Sequence, residues 1–112
     1  MQPASPRGVP DEKSKVCVAG AYRFFKHLGQ VKKELTFASP IWSSVKFSAE
    51  IMEESLDQLA ARDPELPVGE LKRLVAQLRD AARKGYAGEV AVAVHAIEDI
   101  FDRMYVERAR RW

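Results

Sequence analysis

Cys17, Ala21, Phe24, Leu28, Val31 and Leu35 recur at steps of four and three, a spacing that only a helix gathers onto one face. A strand would need alternation by two, and the run YRFFKHL breaks it. Phe25 widens the stripe. The spacing predicts a first helix from about Lys13 to Leu35. Gly20 and Gly29 weaken it by about 1 kcal/mol each relative to alanine, or else admit a close neighbour.

The same period returns three times, separated by breaks. TFASP stops the chain and restarts it, with the Ser39 hydroxyl as expected cap and Pro40 at the first helical position. Ile41, Val45, Ala49, Met52, Leu56 and Leu59 then form one face of a second helix, while Phe47 and Ile51 make a narrower apolar strip beside it. After RDPELP, Leu71, Leu74, Val75, Leu78, Ala81 and Ala82 line a third. KGYAG ends it, with Gly85 suited to the left-handed conformation of a helix C-cap. A fourth helix, from about Ala87 into the arginine-rich terminus, carries Val90, Val94, Ile97, Phe101 and Met104.

Short connections make successive helices antiparallel neighbours, so the expected fold is all-α, an antiparallel four-helix bundle. Its rival is a three-helix core with a projecting C-terminal helix. Residues 1–12 hold Pro3, Pro6, Pro10 and Gly8 and little that could be buried; a disordered tail is expected there, with residues 13–112 as the bundle domain. A chain of 112 residues is one domain's worth. Its single cysteine, Cys17, excludes an internal disulfide and reads as a small hydrophobe on the seam. No apolar run approaches the roughly 18 residues a membrane helix needs. A cytoplasmic protein without membrane attachment is expected.

The stretch VHAIEDIFDR places His95, Glu98, Asp99 and Asp102 within about two helical turns. These are metal-binding and proton-transferring types. On a wheel of about 100° per residue, His95, Asp99 and Asp102 fall opposite the seam and Glu98 lies between the two sides. Metal sites in bundles point inward and repeat a Glu-x-x-His element. Here the order is His-x-x-Glu, once, so His95 and Asp99 read as a surface i, i+4 pair. His27 follows Lys26 and precedes Gly29, which is not the His-x-x-Lys-Gly order of helical phosphotransfer domains; it reads as a boundary residue. Nothing holds a base against a nucleophile, and the glycines form no phosphate loop. The expectation is a protein with no enzyme activity, no catalytic residues, no metal and no cofactor.

The net charge is only +2, yet charge is segregated. Lys13 to Lys33 holds six basic residues and no acidic one; the second helix answers with Glu50, Glu53, Glu54 and Asp57. Arg103, Arg108, Arg110 and Arg111 make the C-terminus basic again, ending at Trp112. Opposite charges on neighbouring helices suffice to pair across their groove, which fixes topology and nothing more. Arg108 falls where the fourth seam would continue, so the tail is expected to leave the bundle there. An aromatic among arginines resembles an interface hot spot. The function expected is therefore docking: an accessory subunit, adaptor or regulator with a protein partner, including self-association as a homo-oligomer. Phe47, Ile51, Arg108, Arg110, Arg111 and Trp112 would carry the contact. The alternatives are nucleic-acid binding through Lys15, Arg23, Lys26 and Lys33 of the first helix, and then a bundle metal site or phosphotransfer at His27.

Overall fold

All four apolar stripes turn inward. Phe24, Val45, Met52, Leu56, Leu71, Leu78, Ile97 and Phe101 are fully enclosed in one continuous core. The computed structural model describes Val18 and residues 20–111, and these form α1 (Tyr22–Glu34), α2 (Trp42–Arg62), α3 (Val68–Lys84) and α4 (Ala87–Arg111). No strand occurs among the described residues. The topology is up-down-up-down. Trp42 stands against Gly85 at one end of the bundle, and Arg62 against Gly20 at the other. No helix among the described residues is long and apolar enough to cross a membrane.

Helices α1 and α2, α2 and α3, and α3 and α4 pack closely, whereas the α1 and α4 backbones stand further apart. Aromatic rings fill that wider gap: Phe101 lies 5.4 Å from Phe24 and 4.7 Å from Phe25, centroid to centroid. Such tilted and edge-on pairs add to the area they bury. The tail residues 1–12, Lys15, Cys17 and Trp112 lie outside the described residues.

Three local expectations are corrected. The helix expected to run unbroken from Lys13 is interrupted at Gly20, which has φ +80°, and among the described residues it begins at Tyr22; Lys13 to Cys17 and Ala19 lie outside them. A Cβ there would also collide with the Arg62 guanidinium, so this glycine does admit a close neighbour; Gly29 faces open space. Next, Ser39 does not cap α2. That helix starts at Trp42, with Ile41 extended at the cap position and 60% exposed rather than on the seam. Its amide donates instead to Oε1 of Glu34, at 2.9 Å. Glu34 is the last residue of α1 and buried, so one carboxylate ties the two helices and places negative charge at the positive end of α2. Lastly, the rival with a projecting final helix is excluded, since α4 packs along α3 and stays helical through Arg111.

Gly85 meets its expectation. It adopts φ +74°, the Tyr86 amide donates to the Ala81 carbonyl and the Gly85 amide to the Ala82 carbonyl, which is a Schellman close.

Candidate functional site

The C-terminal arginines are bound to their own bundle. Arg108 grips Asp63 with both guanidinium nitrogens, Nη1 to Oδ2 at 2.7 Å and Nη2 to Oδ1 at 2.8 Å. Both side chains are about 15% exposed, so the pair is largely shielded from water. Arg111 adds a second fork on Glu65, at 3.0 and 3.3 Å. Asp63 and Glu65 come from the RDPELP break, where Asp63 also accepts the Glu65 amide. The hydrogen bond from Arg108 holds the Asp63 carboxyl below its ordinary range against the opposing effect of burial; the Arg111 hydrogen bond does the same for Glu65. The tail therefore does not leave the bundle at Arg108, as the sequence led one to expect. The two acids in the break are the missed signal: they supply the counter-charge that keeps α4 in place. A shallow groove of about 670 Å³ beside Met104, Glu107 and Arg110 is bounded by this same clasp.

The acidic face of α2 is likewise half committed. Glu53 accepts from Arg79 at 2.7 Å, and Asp57 pairs with Lys72, both across the α2–α3 groove. These pairs are what neighbouring helices of opposite sign produce without further purpose.

His95 is not paired with Asp99. Its Nδ1 lies 3.7 Å from Glu98 Oε1, with the imidazole 78% exposed. Glu98, three residues on, is the inner member of the cluster and accepts from Lys32 of α1 at 2.6 Å, bracing the wider α1–α4 gap. Among the described residues, no three side chains of His, Cys, Asp or Glu gather into a metal-sized cluster.

The outer face of the α1–α2 hairpin is different. Phe47 is 58% exposed, and Ile51 is half-buried one turn along. The His27 ring stands edge-on to Phe47 at 6.4 Å, its Nδ1 without a hydrogen-bond partner. Burial first, then Lys26 and Arg23, lowers the His27 pKa, so the ring is neutral at pH 7 and acts as part of the apolar strip. Among the described residues, Lys26 and Lys33 on the α1 side of the strip and Glu50 on the α2 side take part in no ion pair. Across the strip, Arg23 and Glu54 make only an open 3.5 Å contact, 45% and 65% exposed.

Of the four cations expected to meet nucleic acid, Lys15 is outside the described residues, Arg23 faces Glu54, and Lys26 and Lys33 project outward about 10 Å apart. Of the six residues expected to meet a protein, Phe47 and Ile51 share the hairpin face, while Arg108, Arg110 and Arg111 line the groove at the end of α4. Arg108 and Arg111 belong to the clasp, Arg110 is exposed beside it, and Trp112 is not described. Comparison with known proteins found no matching family model, no similar curated protein and no similar solved structure.

Proposed function

We propose that this chain is a non-enzymatic helical docking protein, an accessory subunit, adaptor or regulator whose contact surface is the outer face of the α1–α2 hairpin. One observation carries the reading: the exposed Phe47 ring continues into Ile51 and His27 on a face where, among the described residues, Lys26, Lys33 and Glu50 make no ion pair and Arg23 and Glu54 only an open one. A water-facing phenylalanine alone needs no explanation. An aromatic set in an apolar strip and rimmed by charge is how the centre of an interface is built.

Arg108 and Arg111 drop out of the proposal, because their charge already serves the fold. Affinity capture from source cells with the full chain tests the reading, wild type against Phe47→Glu, with circular dichroism to confirm that both are folded. The reading requires the substitution to remove the captured partner. Equal capture by the two proteins would contradict it.

A further inference from the structure

Resting on that docking face, we infer that its occupant is a second copy of this chain, joined about a two-fold axis parallel to the helices. The ground is the layout of charge across the face. At about 100° per residue, Lys26, Gln30 and Lys33 of α1 point away from the core, as do Glu50 and Glu54 of α2, while Phe47 and the half-buried Ile51 turn toward α1 between them. The face is thus a basic column, an apolar strip and an acidic column, side by side.

A partner surface of one sign would match one column and repel the other. A second copy matches both. Rotation by a half-turn about an axis along the strip lays each α1 over the other chain's α2, with the strips facing. The contact is isologous, so every attraction occurs twice. Height along the helices agrees to within a helical turn. Arg23 reaches Glu54 and His27 reaches Phe47 inside one chain, and an axis parallel to the helices keeps those heights. Lys26 of one copy then comes over the Glu50–Glu54 turn of the other, and the His27–Gln30 turn over Phe47.

Charge alone does not hold two helical hairpins together; exposed pairs contribute about 0–1 kcal/mol each. The apolar strip supplies the attraction and the columns set the register. The contact offers only two helices per chain, and α1 has 13 residues, which places it among small, reversible interfaces rather than permanent ones.

Sedimentation equilibrium of the full chain, from low-micromolar to submillimolar protein, tests this. Wild type should rise from 12.6 kDa toward twice that mass with concentration. Phe47→Glu, Lys26→Glu and Glu54→Lys should each stay monomeric: the first buries charge in the strip, the others set like charges against each other twice. Mixing Lys26→Glu with Glu54→Lys should then restore a one-to-one dimer, because both contacts again join opposite signs. Wild type that stays monomeric throughout overturns the second copy but leaves the docking reading standing if capture still depends on Phe47. Self-association that ignores Phe47→Glu, or a mixture that fails to reassociate, overturns the two-fold arrangement. Loss of both self-association and Phe47-dependent capture removes both proposals together.

Discussion

Two charged regions of this molecule read alike in the sequence and differ in the fold: the arginine-rich end of α4 and the outer face of the α1–α2 hairpin. At the first, Arg108 and Arg111 meet Asp63 and Glu65 in two forks, and Arg108 is mostly withdrawn from water. At the second, Lys26, Lys33 and Glu50 reach into solvent around an exposed aromatic. A cluster of like charge is therefore no mark of a binding surface until its counter-charges within the chain have been found. The clasp ties α4 to the α2–α3 connection, whereas the hairpin face holds only the open Arg23–Glu54 contact.

The largest expected effect separates the two regions. Arg108→Ala should lower unfolding free energy by about 2–3 kcal/mol, since it removes charge-assisted hydrogen bonds and leaves a shielded Asp63 carboxylate without them. Phe47→Ser should change stability by less than about 0.5 kcal/mol, as exposed positions do. Urea unfolding of both variants checks the contrast. Equal losses would erase the distinction between a holding region and a docking region.

Gly85→Ala comes next, at about 1 kcal/mol, because alanine is strained at φ +74° and its methyl would crowd Trp42. Thermal melting reads it. The pH response of the clasp is smaller still. Asp63 has its carboxyl pKa lowered from 3.8 in the folded chain, so its contribution is present above that value and is lost as pH falls through the folded one. The stability gap between wild type and Asp63→Asn should therefore close below about pH 3.8 in acid titrations. A gap that persisted there would assign the effect to packing. Smallest is Glu53→Gln. Its pair with Arg79 is over a third exposed, and the loss should not exceed about 0.5 kcal/mol.

The seams were legible because burial and helical period are the same fact seen twice. Leu71, Val75 and Leu78, or Val90, Val94 and Ile97, needed only their spacing to be placed inside. Gly85 was legible because few residues tolerate its conformation. What escaped was long-range. The Glu34 carboxylate accepts the amide of Ile41, at the start of α2, across seven positions, so a local search settles on Ser39 instead. Arg108 meets Asp63 across 45 positions, and Lys32 meets Glu98 across 66; no window of sequence shows that either pair exists. The unbroken run expected for α1 was corrected for another reason: the apolar steps continue back through Gly20, and the pattern is blind to its backbone. Phe47 and Ile51 were visible as a strip off the main seam, whereas their separation from the arginines required the fold.

The most direct test is a dilution series of the 15N-labelled full chain followed by amide chemical shifts. Shifts should move with concentration at Lys26, Gln30, Phe47, Ile51 and Glu54 while Asp63, Glu65 and Arg108 hold still. Concentration-dependent shifts centred on the α4 terminus, or none anywhere, would contradict the account.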